Sequence, residues 1–233
     1  TPLSGCLFHS RKVESRTSSA PLRTATQQEL VARINLEASK VRTMNATVDI
    51  NTSVGGSKKG KITEYREIRG YILARKPALL RMIGLFPIVR NRAFDMVSDG
   101  QVFKLSIPVK NRFIVGRNDV IRPSQQPLEN LRPQHIYDAL LLREIDPENE
   151  IAVLEAGTED VIDPKTKKPV DQPNYILDVI RRGDNGWFLS RKILINRVDL
   201  RPNRQVVYDK LGNVATDARY SDFQQFNEVS FPK

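Results

Sequence analysis

The chain has few of the residues on which catalysis, metal binding and disulfide formation depend. It contains one cysteine and two histidines in 233 residues, so no disulfide can form within it. His9 lies in the N-terminal leader and His135 in an apolar segment, and neither has metal-ligand spacing to Cys, Asp or Glu. A nucleophile-elbow motif and a Gly-rich phosphate loop are also missing. We therefore predict a protein that is not an enzyme and that uses no cofactor or metal.

Long hydrophobic runs and abundant aromatic residues are missing as well. No apolar run approaches the roughly 20 residues that a membrane-spanning helix needs. Aromatic residues make up 7% of the chain, and many fall on apolar strand faces, which leaves no basic and aromatic platform for nucleic acid. The net charge of +10 favours anionic partners, but the spread of Lys and Arg along the chain is typical of a solvated surface. We expect no nucleic-acid partner.

The single cysteine has an informative position. Leu3-Ser4-Gly5-Cys6 resembles a bacterial lipobox, in which the cysteine becomes the lipid-modified first residue of the mature protein. The polar stretch that follows, up to Thr26, is typical of a flexible tether. A free cysteine in a disordered leader is the alternative. We predict a signal-peptide remnant at 1–5, a lipidated N-terminus and tether at 6–26, and one domain at 27–233.

Periodicity predicts one amphipathic helix and then many strands. Gln27 to Val41 has apolar residues at helical spacing, and Thr26 with Glu29 forms a capping-box pattern. From Met44 onward the alternation has period two, and Asp99-Gly100 supplies the turn of the clearest hairpin. Regularly spaced strands with turn signals continue to the end of the chain. This pattern favours a barrel or a sandwich over a βαβ fold.

A short apolar helix is predicted between the strands. Pro133 lies where a helix can begin, and His135 to Leu142 is strongly apolar. Leu128 to Leu131 is predicted to form a helical turn just before it. A short helix of this kind usually plugs or covers an apolar surface.

Three motifs resemble the LolA and LolB carriers of bacterial lipoprotein localisation. These are the stretch from Gly70 to Arg81 with its basic residue before Pro77, the Val97-Ser98-Asp99-Gly100 hairpin, and Pro108 at the end of the next strand. The resemblance implies a mostly β protein with a few helices. It would be a strongly curved antiparallel sheet, a half-open β-barrel, with helices covering the mouth and a cavity for acyl chains.

The resemblance also implies a set of site residues. The expected cavity lining is Leu79, Met82, Phe94, Met96, Phe103 and Leu105, and the expected lid residues are Ile136, Leu140 and Leu141. Each of these can equally be plain hydrophobic core. Lys76 stands where LolA has an Arg that helps to hold its lid, and Arg75 precedes it, so these two are the expected lid latch, although Lys lacks the bidentate fork of Arg. Gly84 to Ile88 is a candidate for the exposed apolar loop of LolB, with strand or core as the alternative.

The sequence therefore predicts a membrane-anchored periplasmic protein that binds or carries lipids or lipoprotein acyl chains. Expected partners are a lipid or acylated lipoprotein, the membrane through the N-terminal anchor, and envelope transport proteins; we expect a monomer. Leu7, rather than Asp, follows Cys6, which by the enterobacterial sorting pattern favours the outer membrane, facing the periplasm. Two alternatives stay open: a structural or interaction lipoprotein with a filled core, and a sensor of envelope lipids.

Overall fold

In a computed structural model of the protein, the described residues are 17–56, 60–119, 132–163 and 165–233. Three sequence predictions lie outside them: the signal-peptide remnant at 1–5, the lipidation site Cys6, and the helical turn at 128–131. Every structural statement below refers to the described residues.

The first half of the domain is a six-stranded antiparallel meander, called sheet 1. Each strand pairs with the next along the chain, and a 3₁₀ turn at Pro108–Lys110 joins the last two. The inward positions alternate with outward ones, as a pleated strand requires. The strands are β1 Thr43–Gly56, β2 Lys61–Arg75, β3 Leu79–Leu85, β4 Arg92–Ser98, β5 Val102–Ile107 and β6 Arg112–Arg117.

The second half is a five-stranded antiparallel meander, called sheet 2, followed by a small hairpin. Gly186 and Gly212 have positive φ angles in its turns, a conformation that favours glycine. The strands of sheet 2 are β7 Glu150–Ile162, β8 Pro169–Gly183, β9 Gly186–Asn196, β10 Pro202–Tyr208 and β11 Val214–Arg219. The hairpin strands are β12 Gln224–Phe226 and β13 Val229–Phe231.

Helix α1, Gln27–Lys40, packs against sheet 2. The predicted capping box is present, because the Glu29 amide donates to the Thr26 hydroxyl and the Thr26 amide donates to the Glu29 carboxylate. Leu30 and Ile34 are buried among the inward side chains of sheet 2, such as Ile193. The apolar stripe that the sequence predicted is therefore the packing face of the helix.

Helix α2, Pro133–Leu140, lies between the two sheets. Tyr137 and Leu141 are buried in the apolar cluster on the inner face of sheet 1, together with Met82 and Met96. The other side of α2 contacts β11 of sheet 2. Sheet 1 thus has an inner face that α2 covers and an outer face that points away from it.

The predicted fold class is confirmed: the protein is mostly β, with antiparallel strands, open rather than closed sheets, and two helices. The hydrogen bonding divides the strands into two meanders instead of one continuous sheet. The chain between β6 and β7 passes through α2, so these two strands are not paired with each other. Neither described helix is long and apolar enough to cross a bilayer.

The segment before α1 is held against sheet 2. The Ser18 amide donates to the Asp171 carbonyl at 3.0 Å, and the Arg23 amide donates to the Arg197 carbonyl at 2.7 Å. The Ala25 amide donates to the Tyr175 hydroxyl at 3.2 Å. The prediction of one flexible tether over 6–26 is therefore wrong for its last part, because these backbone hydrogen bonds fix the segment from Ser18 onward.

Candidate functional site

A cavity of about 290 Å³ opens between α1, the chain just after α2, and the C-terminal hairpin. Its volume is at the lower end of the range for small-molecule sites, which is about 300–1,000 Å³. The wall is largely apolar and includes Ile34, Val41, Leu140, Leu142, Phe223 and Phe231.

Charged side chains surround this apolar wall. Arg33, Glu37 and Lys40 come from α1, and Lys40 forms an ion pair with Glu37 at 2.8 Å. Arg201 follows β9, and its guanidinium carbon lies 5.4 Å from the centroid of the Phe223 ring. An apolar interior with a charged rim suits an amphipathic molecule better than a uniformly polar one.

Most of the predicted lining residues lie together, but on a covered wall. Met82, Met96, Phe103 and Leu105 are buried in the sheet 1 cluster beneath α2, and Phe94 packs at its margin. None of these five borders the 290 Å³ cavity. In this state they are core residues, and their role as a ligand wall stays a prediction.

Leu79 does not belong with the other predicted lining residues. Successive side chains of a strand point to opposite faces, so Leu79 and Met82 on β3 lie on different sides of sheet 1. Leu80 is the buried residue of that strand end, whereas Leu79 lies on the outer face and is half-buried. The placement of Leu79 in the cavity lining is therefore wrong.

The predicted lid residues lie where a lid would act. Ile136 and Leu140 pack against the sheet 1 cluster, and Leu141 is buried in it. Leu140 and Leu141 also border the cavity. The C-terminal half of α2 thus separates the covered wall of sheet 1 from the open cavity.

Side chains from the sheet 2 half of the domain hold the polar side of α2. The Gln205 amide donates to the Asp138 carbonyl at 2.7 Å, and the Tyr220 hydroxyl donates to the Ala139 carbonyl at 2.9 Å. These carbonyls belong to the last turn of the helix, where no further helical amide can reach them. Gln205 and Tyr220 therefore act as tertiary caps that tie the helix end to sheet 2.

The two predicted latch residues have different positions. The Lys76 ammonium donates to the Ala38 carbonyl near the end of α1 and lies 3.5 Å from the Glu144 carboxylate after α2. It thus links sheet 1 to α1 and to the chain beyond the lid. Arg75 is exposed on the outer face, away from both helices. A latch role is compatible with the position of Lys76 but not with that of Arg75.

Sequence reasoning missed a buried arginine that holds the segment after α2. Arg191 on β9 is 1% exposed, and its guanidinium donates to the Arg143 carbonyl at 2.7 Å and to the Glu144 carbonyl at 2.9 Å. It also pairs with the buried Glu150 carboxylate at 3.3 Å. Strand alternation could have revealed it, because Arg191 shares the inward positions of β9 with Ile193.

Burial shifts the pKa values of this region. Desolvation lowers the pKa of Arg191 to about 10, so the guanidinium stays charged at neutral pH. Burial raises the pKa of Asp138 on α2 and lowers the pKa of His135. Among the described residues, no group of three or more His, Cys, Asp or Glu side chains could hold a metal ion.

The candidate apolar loop is only partly a loop. Gly84 and Leu85 belong to β3, where an added Cβ on Gly84 would meet the Phe94 ring at 2.3 Å. The exposed part is the turn that follows, in which Ile88 is 88% exposed and Val89 is also exposed.

The fold and site define a mostly β protein with two open meanders, a covering helix and an apolar cavity. No protein-family model matches the chain, and a search of curated proteins finds no match. Solved structures similar to it include a LolA superfamily protein from Nitrosomonas europaea, with 13% identity, a TM-score of 0.46, and coverage of 87% of this chain and 82% of that one.

Two further solved structures are similar over a comparable length. An outer membrane lipoprotein-sorting protein domain from Vibrio parahaemolyticus has 12% identity and a TM-score of 0.45, covering 88% of this chain and 81% of that one. A DUF1329 family protein from Desulfovibrio piger has 14% identity and a TM-score of 0.49, covering 87% and 80%. Similarity at this level supports no inference about ligand or partner.

Proposed function

We propose that the protein binds the acyl chains of a lipid or of an acylated lipoprotein and carries or presents them in the cell envelope. The observation that carries this proposal is the position of α2. The helix covers the apolar inner face of sheet 1, and its C-terminal end borders an open apolar cavity. Outward movement of α2 would join the cavity to the wall formed by Met82, Met96 and Phe103.

The energies involved make this exchange feasible. Burial of one acyl CH₂ contributes about 0.8 kcal/mol. The bonds from Gln205 and Tyr220 to α2 contribute about 0.5–1.5 kcal/mol each, and burial of Leu141 contributes about 1.5–3 kcal/mol. A chain of about ten methylenes can therefore compete with the end of α2 for the same apolar wall.

Localisation and membrane attachment belong to the same proposal. Lipidation at Cys6 would anchor the protein, and Leu7 after it favours the outer membrane, facing the periplasm. The exposed Ile88 and Val89 could contact the lipid surface in addition. The protein would act as a binder and not as an enzyme, with a lipid or acylated lipoprotein and envelope transport proteins as partners.

Native mass spectrometry of the purified protein tests ligand binding. Leu142 lines the cavity, so we expect Leu142→Glu to remove most of the lipid-sized adducts that the wild type retains, because a carboxylate in an apolar wall opposes acyl binding. Leu36→Glu is the matched control, since Leu36 is exposed on α1 and lies outside the cavity. Both variants should keep the wild-type circular dichroism spectrum. Equal adduct levels in the two variants would contradict the proposal.

A second candidate function is a structural or interaction lipoprotein of the envelope without a ligand. The filled inner face of sheet 1 favours it, because Tyr137 and Leu141 occupy the space that an acyl chain would take. The same experiment decides between the two. Wild-type protein that carries no adduct, even after incubation with phospholipid, would support the structural function.

A further inference from the structure

The net positive charge of the protein is concentrated on sheet 1. The described residues 43–56 and 60–119 contain 12 Lys and Arg against six Asp and Glu, a net charge of +6. Residues 132–233 contain 15 Lys and Arg against 17 Asp and Glu, a net charge of −2. Lys and Arg occur along the whole chain, but acidic residues balance them only in the second half. Sheet 1 is therefore the cationic side of the molecule.

The outer face of sheet 1 combines these cations with exposed apolar side chains. One row across the strands runs through Leu73, Arg81, Val97, Lys104 and Val115, each opposite the next in the strand register. Apolar and cationic side chains alternate along this row. Val115 is 59% exposed, and Leu73 and Val97 are exposed as well.

The neighbouring row adds two aromatic side chains. It runs through Tyr71, Ile83, Asp95, Ser106 and Phe113. Phe113 is 67% exposed and Tyr71 is exposed. Exposed aromatic and aliphatic side chains that gather on one face of a sheet often mark an interaction site.

The cations of this face are only partly neutralised. Asp95 is shared by Arg81 at 3.0 Å and Arg92 at 3.5 Å. Lys104 and Arg75 form no ion pair with any described residue. The face therefore has unpaired positive charge next to exposed aromatic and aliphatic groups.

We propose that the outer face of sheet 1 docks on the surface of a membrane that contains anionic lipids. Lys and Arg can bind lipid phosphates while their aliphatic stems lie along apolar neighbours. Tyr71, Val97 and Phe113 then enter the interfacial region, which favours aromatic and aliphatic groups. Protein interfaces gather their apolar anchors in a central cluster, whereas here apolar and cationic residues are interleaved, as the mixed head-group region requires.

Docking in this way leaves the cavity accessible. The outer face points away from α2, because Met82 and Met96 on the same strands point inward to Tyr137. The covering helix and the cavity thus stay on the side away from the bilayer. This inference does not depend on a ligand in the cavity, so it can hold or fail independently of the proposed function.

Co-sedimentation with vesicles tests the proposal. The full chain with Cys6→Ser, which excludes acylation, is mixed with vesicles of phosphatidylcholine alone or of phosphatidylcholine and phosphatidylglycerol. We expect binding only to the anionic vesicles, and we expect it to fall sharply at about 0.5 M salt, where screening is strong. The double variant Arg75→Glu/Lys104→Glu should weaken binding by about tenfold or more.

A matched charge reversal on sheet 2 is the control. Lys165→Glu/Lys168→Glu changes the net charge equally in the exposed β7–β8 loop, and we expect it to leave binding within about twofold. Phe113→Ser, with no charge change, should weaken the binding that persists at high salt.

Either of two results would overturn the proposal. Equal losses in the two double variants would mean that only total charge matters. No binding of the parent protein to anionic vesicles would leave an acidic protein surface as the partner that this face fits.

Discussion

Arg191 holds the chain that follows the covering helix α2. It is fully buried, and it places two hydrogen bonds on the backbone that follows α2. The Glu150 carboxylate is also buried. It forms ion pairs with the guanidinium groups of Arg191 and Arg181, each at 3.3 Å. A buried charge of this kind is stable only with its partners in place, since the desolvation penalty is otherwise unbalanced.

At this scale we predict the effect of removing the buried cation. Arg191→Met should lower the free energy of unfolding by about 3–5 kcal/mol, as when one partner of a buried ion pair is lost, measured by urea denaturation. Lys210→Met is the control, because Lys210 pairs with Asp184 on the surface, and it should change stability by no more than about 0.5 kcal/mol. A similar small change for both variants would show that Arg191 does not hold this segment.

Helix α2 combines two kinds of attachment on its two sides. Its apolar side packs into sheet 1 through Tyr137 and Leu141. Its last carbonyls accept hydrogen bonds from Gln205 and Tyr220 of the sheet 2 half. A helix of 8 residues is too short to be stable alone, so its persistence and its opening depend on these tertiary contacts.

We predict that Tyr220→Phe loosens the helix without unfolding the domain. Loss of one hydrogen bond worth about 0.5–1.5 kcal/mol should speed amide exchange in α2 by about two- to tenfold. Hydrogen–deuterium exchange with peptide resolution measures the exchange rate of the amides of residues 133–141. Tyr208→Phe on β10 is the control, because its hydroxyl makes no contact with α2 among the described hydrogen bonds. An unchanged rate of amide exchange in Tyr220→Phe would mean that apolar packing alone holds α2 in place.

The whole molecule has two sides with different charge and different attachment. Sheet 1 is cationic, and the segment from Ser18 is fixed to sheet 2. Eleven residues lie between Cys6 and Ser18, and an extended chain of twelve steps spans about 40 Å at most. An acyl anchor at Cys6 would therefore hold Ser18 within about 40 Å of the bilayer surface.

The anchor itself is testable in cells. We expect metabolic labelling with a palmitate analogue to mark the wild-type protein and not Cys6→Ala, because the thiol is the acylation site of a lipobox. The labelled protein should also fractionate with membranes. Label that persists in Cys6→Ala would exclude a lipoprotein anchor at this residue.

Local sequence patterns predicted the elements well. The Thr26–Glu29 capping box, the Asp99-Gly100 hairpin and the apolar helix from Pro133 are all present. Each of these depends on residues within a few positions of one another, so short-range chemistry is sufficient to specify it. Placement of Leu79 failed even at this level, because strict alternation from Met82 assigns the inward position to Leu80.

The sequence by itself determined the antiparallel strands, the capped α1, the apolar stripe of α2 and the excess of cations in residues 43–119. These follow from periodicity, capping and composition, which are local properties. Only the tertiary structure decided that α2 fills the sheet 1 wall, that the open cavity lies beside α1 and the C-terminal hairpin, and that Arg191 holds the chain beyond α2. Those contacts join residues far apart in sequence, and their geometry depends on how two separate meanders pack around one short helix.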